Sequence, residues 1–433
     1  MVVNHYKKYK NSGVDWIGEI PEQWNILKLK FLFKDVSIKN KPDLDLLSVT
    51  QDQGVVPRSM VENRMVMPTG NLESFKVISK GDFAISLRSF EGGLEYSEYE
   101  GLISPAYTVL KSQKEINDNY YKFLFKSKAF IAELQLSIVG IREGKNISYE
   151  ELKYSYTPIP PIEEQQTIAT FLDDKTAKID QTIANKQKEI ELLKERRQIL
   201  IQKAVTKGLD DSVPLKDSGV DWIGEIPEHW EVRKLKAFCK AFGRIGFRGY
   251  TTADLVDEGE GAITISPSNI KENEMVFEKN SFLSWHKYNE SPEIKIREND
   301  ILIVKTGSTY GKIGIVKNIP QKATINPQLL VLKNIEINPD YFYELLKSNI
   351  FQLQVEKNVI GSTIPTISET KILGFSVPVP IDEKEFDKIS AYIHEINEKF
   401  FALINLKQQE IERLKEYKAV LIDNVVTGKV RVS

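Results

Sequence analysis

The sequence has a single cysteine, Cys239, in 433 residues. That excludes an internal disulfide framework and fits a reducing compartment, and a lone thiol of this kind is expected to be buried and inert. The N-terminus runs Met1-Val2-Val3-Asn4-His5 into a Lys/Tyr stretch with no apolar core, so no secretory signal is expected. No apolar run reaches the roughly 18 residues needed to cross a bilayer, and the expectation is a soluble, cytoplasmic protein without a membrane partner. A charge excess is missing too: 59 basic residues face 61 acidic ones, which excludes a polybasic or disordered tail. The four histidines, His5, His229, His286 and His394, are scattered without Cys or His neighbours, so no zinc motif exists. What is present supports real cores, with 41% hydrophobic and 10% aromatic residues. Single domains usually stop near about 250 residues, so at least two are expected.

The chain is written twice. Ser12 to Trp24 reads SGVDWIGEIPEQW and Ser218 to Trp230 reads SGVDWIGEIPEHW, identical at twelve of thirteen positions with an offset of 206. A second pair follows at an offset of 221: QKEIELLKE from Gln187 and QQEIERLKE from Gln408. Weaker echoes lie between, such as YYKFLFKS from Tyr120 and YFYELLKS from Tyr341. The offset grows by 15, so the second half carries the larger insertion. A period of this size is far above the roughly 20–50 residues of solenoid repeats and marks a tandem duplication of whole domains.

Edges and interiors differ in kind. Residues 163–207 contain no Pro or Gly and stop at Gly208; residues 382–427 behave likewise and stop at Gly428. Apolar residues recur every seven positions: Leu172, Ile179, Leu193 and Leu200 with Ile183, Ile190 and Ala204 in one stretch, and Ile393, Phe400, Leu414 and Leu421 with Ile404, Ile411 and Val425 in the other. Charged interruptions match as well, Lys186 with Lys407 and Arg197 with Lys418. Two matched amphipathic helices of this length are expected to pair as a coiled coil. The interiors, roughly 25–157 and 231–377, carry short β-branched runs such as Phe83-Ala84-Ile85, Ile301 to Val304 and Leu329 to Leu332, separated by Gly-rich turns, with helical pieces near Tyr120–Leu136 and Tyr341–Val355. Each interior therefore reads as an α+β domain.

No catalytic constellation emerges. The proline-braced loop of an amino-methyltransferase needs two prolines, and Asn338-Pro339-Asp340-Tyr341 and Ser104-Pro105-Ala106-Tyr107 each have one. A phosphate-cradling loop needs Gly six residues before its Lys and Ser/Thr after it; Lys312 has Thr306 and Ile313. Glu293-Ile294-Lys295 has nuclease-like spacing that many surface loops share.

The layout resembles the specificity subunit of type I DNA restriction–modification systems. The marks are the DWIGEIPExW opening of each half, from Asp15 and Asp221, the step Pro160 to Gln166 (PPIEEQQ) into the first helix, and the helix exits AVTKG from Ala204 and VVTGK from Val425. The second helix departs from the pattern at its start, where PIDEKE from Pro380 lacks the Glu-Gln pair. The resemblance implies an α+β chain with two globular target-recognition domains separated by two long helices that form an antiparallel coiled coil, a pseudo-twofold tandem duplication. Its segments would be residues 1–160 (first domain), 161–211 (first spacer helix), 212–380 (second domain) and 381–433 (second spacer helix). It also implies a non-catalytic reader of a bipartite, asymmetric double-stranded DNA target. Such a subunit recruits two methyltransferase subunits and, through them, restriction/translocase subunits. It has no cofactor of its own; S-adenosylmethionine, ATP and magnesium belong to the partners. The competing readings are a fused methyltransferase or nuclease chain, and a coiled-coil adaptor with no DNA role.

A DNA reader usually shows a basic excess, yet residues 1–160 hold 21 basic and 20 acidic residues, and residues 212–380 hold 20 and 21. The expectation is that cations cluster locally, as in Arg233, Lys234, Lys236, Lys240, Arg244 and Arg248, interleaved with Phe238, Phe242 and Phe247. Because Arg presents a bidentate fork to guanine, the candidate base readers are arginines in Gly- or Ser-rich loops: Arg58, Arg88, Arg142, Arg244 and Arg248. Lys145, Asn269, Lys305, Ser308, Tyr310 and Lys312 are candidate phosphate contacts. Trp16, Trp24, Trp222 and Trp230 sit in the duplicated edges and are expected to pack rather than to stack on bases.

Overall fold

The computed structural model describes residues 5–61, 72–139, 146–271, 274–359 and 365–432. Both interiors build the same four-stranded antiparallel sheet. In the first half its order is Phe33–Val36, Thr108–Ser112, Phe83–Ile85, Glu95–Tyr96; in the second it is Lys240–Gly243, Leu329–Lys333, Ile301–Val304, Ile313–Ile315. The middle strands ILIV and LLVLK are buried along their whole length, which is why they read as continuous apolar runs rather than as alternating ones. The second half adds another sheet, Leu255–Val256, Ser281–Ser284, Gly261–Ile265 and Ala323–Ile325, where the described residues of the first half form strand pairs. This is the larger insertion that the drifting repeat offset requires.

The helical pieces are shorter than the periodicity predicts. Instead of Tyr120–Leu136 there are two helices, Asp118–Leu124 and Lys128–Leu134; instead of Tyr341–Val355 there are Pro339–Lys347 and Asn349–Asn358. The breaks fall at Ser127 and Ser348, whose hydroxyls donate to Leu124 O at 2.7 Å and Leu345 O at 2.6 Å. Ser127 Oγ also accepts from Phe130 N, capping the next helix. Serine competes locally for backbone groups, and that competition overrides the apolar spacing.

Each domain is clamped where the chain enters and leaves it. Asn25–Lys28 pairs with Tyr156–Ile159, and Trp230–Lys234 pairs with Ser376–Pro380, immediately before the long helices Ile162–Lys207 and Glu383–Val426. Both helices stop at glycine in the left-handed region, Gly208 at φ 78° and Gly428 at φ 77°. Every residue of the seven-position lattice is buried or half-buried. Antiparallel pairing is explicit in two ion pairs: Asp180 with Lys418 at 2.6 Å and Lys186 with Glu410 at 2.6 Å, one number rising as the other falls. In the repeat register Asp180 corresponds to Phe401, so Arg197, the counterpart of Lys418, does not meet a carboxylate at that position; its buried Nε finds no acceptor among the described residues.

Packing divides the chain inside the helices. One compact unit is residues 1–188 with 407–433, the other residues 189–406. Each therefore contains one domain, the start of its own helix and the end of the other half's helix. The duplicated edge explains this arrangement. Trp24 is fully buried against Gly428, where an added Cβ would lie 3.0 Å from its ring, and Trp230 is fully buried against Gly208, where the distance would be 3.4 Å. Tyr120 donates to Val426 O at 2.8 Å and Tyr341 to Val205 O at 3.4 Å. Trp16 packs edge-on to Phe130. Three of the four tryptophans thus pack as expected; Trp222 departs, 39% exposed, with Lys357 Nζ 5.4 Å from its ring centroid.

Replacing the fully buried Leu172 by Ala is expected to cost about 2–5 kcal/mol, against less than about 1 kcal/mol for Lys418→Ala at the exposed ion pair. Urea unfolding of the two variants measures the difference, and equal losses would contradict it.

Candidate nucleic-acid interface

In the first domain the candidate residues gather where strand Phe83–Ile85 ends. Ser86 N donates to Ser89 Oγ at 2.8 Å, and Arg88 N donates to Ser86 Oγ at 3.3 Å. These bonds fold a tight turn that leaves the Arg88 side chain exposed. The turn between strands Leu47–Thr50 and Gly54–Pro57 lies alongside. Thr50 Oγ1 donates to Gly54 O at 3.0 Å and accepts from Gln53 N at 3.1 Å, and Gln51 Nε2 donates to Arg88 O at 3.2 Å, joining the two turns. Together they line an open cleft of about 740 Å³ that presents Thr50, Gln51, Asp52, Gln53, Ser86, Arg88 and Tyr107. One guanidinium fork, two side-chain amides and a carboxylate are the groups that discriminate base edges in a major groove. Gln51, Asp52 and Gln53 escaped the sequence reading because glutamine in a turn has no chemical signature until Arg88 is found beside it. The half-buried Arg58 opens the 3-10 turn Arg58–Met60 that follows the outgoing strand, next to Met60 and Val61 of the cleft wall. Arg142 and Lys145 lie outside the described residues.

The cleft rests on a buried ion pair. Lys126 Nζ donates to Gln51 O at 3.0 Å and to Glu95 at 2.6 Å, and Glu95 is fully buried, its second carboxylate oxygen without a partner among the described residues. Burial pushes the Glu95 carboxyl up to about 7, with Lys126 pulling the other way.

In the second domain the loop after strand Ile301–Val304 occupies the equivalent end of the sheet. It is tethered by Gly307 N donating to Pro365 O at 3.0 Å, by Ile367 N donating to Lys305 O at 2.9 Å and by the hydroxyls of Thr306 and Thr366 at 2.8 Å. Ser308 and Lys312 are exposed, Lys305 stands 3.4 Å from Glu369, and Tyr310 leans half-buried on the core. Arg248 is half-buried and pairs with Glu293 at 3.3 Å.

Two candidates need correction. Arg244 is 5% exposed, and its guanidinium donates to Ile325 O, Thr324 Oγ1 and Arg248 O at 3.0–3.3 Å beneath the Tyr250 ring. Burial lowers its affinity for the proton. Buried and bonded through all three of its nitrogens to the protein, it holds the Gly246–Tyr250 loop rather than standing open to a base. Asn269 is 3% exposed; its Oδ1 accepts from Ser266 N at 3.0 Å and its Nδ2 donates to Val276 O at 3.0 Å. The expected basic cluster also separates. Arg233, Lys234 and Lys236 precede the sheet strand that begins at Lys240, whereas Arg244 and Arg248 follow its other end at Gly243, and Phe238 is core.

Cys239 is buried, and burial pushes its thiol up to about 12, which leaves no reactive thiolate near neutrality. Among the described residues no cluster of three or more His, Cys, Asp or Glu could hold a metal ion, and no helix is long and apolar enough to cross a membrane.

The sequence profile of the type I restriction modification DNA specificity domain matches residues 21–192 and 227–416, once per half and including the start of each half's long helix. The chain belongs to this family. It is 26% identical over 427 residues to the type I restriction enzyme MjaVIII specificity subunit of Methanocaldococcus jannaschii, covering 95% of this chain and 94% of that one. It is also 25% identical over 253 residues to the EcoBI specificity subunit of Escherichia coli, covering 56% and 52%. Among solved structures, a chain of a type I R-M system superposes with a TM-score of 0.65 at 15% identity over 94% of this chain and 98% of that one. The HsdS subunit from Thermoanaerobacter tengcongensis gives 0.53 at 15% over 94% and 98%. The Methanocaldococcus jannaschii and Escherichia coli relatives are named as specificity subunits, not as fused methyltransferases or nucleases.

Because the folded carboxyl of Glu95 titrates near 7 rather than at its ordinary 4.5, the unfolded chain releases that proton first as pH rises. The pair's contribution therefore falls from pH 4.5 to pH 7. Glu95→Gln lacks this titration, so its melting temperature minus that of the wild type is expected to become more positive from pH 5 to pH 8. A difference that does not change with pH would show that Glu95 is ionised throughout.

Proposed function

We propose that this chain is the DNA-reading subunit of a type I restriction–modification complex in the cytoplasm. Each domain reads one half of a bipartite, asymmetric duplex target. The chain also scaffolds two methyltransferase subunits and, through them, restriction/translocase subunits. Methyl transfer, with S-adenosylmethionine, and ATP- and magnesium-dependent translocation and cleavage are the partners' chemistry. The observation that carries the reading is a contrast within the duplication. The sheets, clamping strands and helix exits repeat closely, while the loops at the same end of each sheet differ: Gln51, Gln53 and Arg88 in one half, Lys305, Ser308, Tyr310 and Lys312 in the other. A shared frame with divergent tips suits two unequal half-sites, as a symmetric dimer suits a palindrome.

In this reading Arg88 is a base reader flanked by the Gln51 and Gln53 amides. Arg58, Arg142, Lys145, Lys305, Ser308, Tyr310 and Lys312 contact phosphates or base edges, and Arg248 reads from a loop that Arg244 positions. Asn269 braces its own turn.

Methylome sequencing of cells that express the chain with its methyltransferase subunit is expected to show one bipartite motif. Exchanging residues 231–377 for the corresponding segment of a relative is expected to change one half-site and leave the other; loss of both, or change in both, would refute independent reading. Arg88→Ala is expected to cost about 1–3 kcal/mol of discrimination at one base pair, measured by competition against single-pair variants of the target. An equal loss on all sequences would reassign Arg88 to a phosphate.

A further inference from the structure

Both turns that line the first domain's cleft are held from one place, the joint between helices Asp118–Leu124 and Lys128–Leu134. On the Arg88 side, Leu94 N donates to Phe125 O at 3.3 Å, and a Cβ added at Gly93, where φ is 80°, would lie 2.1 Å from the same oxygen. Only glycine allows that approach. On the other side, Lys126 Nζ donates to Gln51 O at 3.0 Å. Between the turns, Gln51 Nε2 donates to Arg88 O at 3.2 Å, and a Cβ at Gly92 would lie 2.9 Å from that nitrogen. The place of the Gln51 amide beside Arg88 is therefore set from Lys126.

Lys126 is itself held by Glu95. This carboxylate opens strand Glu95–Tyr96, pairs across the sheet with Ala84 just before the Arg88 turn, and is fully buried. It takes the ammonium at 2.6 Å, and the Lys126 side chain is 27% exposed, so an ammonium released by Glu95 has water to turn to. The charged groups that face Glu95 are Lys126 from the joint and Asp52 from the Gln51 turn.

The second half keeps the lysine and uses it differently. Lys126 corresponds to Lys347 in the repeat, but the strand equivalent to Glu95–Tyr96, Ile313–Ile315, carries no carboxylate. Lys347 turns back to Glu344 on its own helix at 2.9 Å and lies 4.7 Å from the Tyr343 ring centroid. The loop after Val304 is braced by its backbone, by the hydroxyls of Thr306 and Thr366, by the Lys305–Glu369 pair and by Gln352 Nε2, which donates to Gly311 O at 3.2 Å.

We propose that Lys126, held by Glu95, is a positioning residue that sets base discrimination in the first half-site and not in the second. The inference rests on the proposed reading by Arg88, Gln51 and Gln53, and adds what aims them. Lys126 acts through the backbone of Gln51 and does not itself meet a base. Ionised Glu95 keeps the ammonium on Gln51 O; protonated Glu95 releases it to water, and the turn loosens. Burial places that titration near 7. Discrimination in the first half-site therefore rises with pH, while the pair's contribution to stability falls over the same range. A role confined to stability would move both the same way. Repulsion of phosphates by the carboxylate weakens every duplex alike and cancels from a ratio of affinities.

The test uses the full-length chain in complex with the methyltransferase subunit of its own system. Competition binding compares the duplex target defined by the methylome with duplexes that carry one substituted base pair in either half-site. The half-site that persists when residues 231–377 are exchanged is the first. Between about pH 6 and about pH 8 the wild type's discrimination there is expected to rise about two- to tenfold, the range of one hydrogen bond, and to stay level in the second half-site. Glu95→Gln should hold the lower value at both ends of the range. Lys126→Met should show the same loss at the upper end, with circular dichroism unchanged; if it does not fold, the profiles of the wild type and Glu95→Gln decide. Discrimination that ignores pH, that changes alike in both half-sites, or that Glu95→Gln leaves at the wild-type value at the upper end would overturn the inference. A wild-type complex with no preference for a bipartite target at either end would instead refute the DNA-reading role itself.

Discussion

The burial of one tryptophan against one glycine, made twice, is the constraint on which the rest depends. Trp24 closes on Gly428 and Trp230 on Gly208, and both glycines hold φ near +77° where the helix stops. A side chain at Gly428 would collide with Pro21 and press on the indole, and at either glycine it would strain the backbone. Because Trp24 belongs to the beginning of the chain and Gly428 to its end, the first unit cannot close until the second helix has been made. The same contact within the chain, Trp230 on Gly208, joins neighbouring segments. One packing solution therefore serves both a local and a very non-local closure, which explains why the sequence SGVDWIGEIP is held while the interiors drift. The hydroxyls of Tyr120 and Tyr341 reinforce it by taking up carbonyls at the helix ends, Val426 O and Val205 O, that the helix itself leaves unpaired.

Above that frame, two of the loops are tethered by charged side chains that reach them from a buried partner. Lys126 reaches the backbone of Gln51 from an ion pair with the buried Glu95; Arg244 reaches Ile325, Thr324 and the backbone of Arg248 from beneath a tyrosine ring. A buried charge is costly unless its partners are in place, so each tether tolerates few loop conformations. Apolar contacts of similar extent would stabilise without aiming anything. For a surface that must present donors and acceptors in fixed geometry, the directional tether is the more useful interaction.

How much of this the sequence discloses depends on the range of the interaction. The long helices were legible to within a residue or two because a seven-residue lattice and terminal glycines are local signals. The central strands Ile301–Val304 and Leu329–Lys333 were legible because complete burial writes itself as an apolar run. The breaks at Ser127 and Ser348 were not, since a single hydroxyl turning back on the preceding turn leaves the apolar spacing intact. At the site, Arg88 stood out for its serine-flanked turn, but Arg244 looked equally good in its glycine-rich loop. What separates them is the strand Ala323–Ile325, some eighty residues away, which fills the Arg244 fork. Gln51 and Gln53 were invisible for the converse reason: their significance comes from a neighbour 35 or more residues away.

The near-zero net charge, awkward for a DNA reader on composition alone, becomes intelligible when charge is followed by place. The balance of 21 basic and 20 acidic residues in the first half is an average over surfaces with different tasks. Acidic residues are consumed at the seams, where Asp180 and Glu410 pair with Lys418 and Lys186, and under the loops, where Glu95 and Glu293 hold Lys126 and Arg248. Lys312 on the loop side, and Lys28, Lys30 and Lys234 on the clamping side, have no carboxylate in ion-pair range among the described residues. Screening limits what distant charges feel to about 8–10 Å, so a ligand at one end responds to the groups there and not to the sum over the chain. Net charge governs non-specific attraction along DNA, and a value near zero keeps that attraction weak.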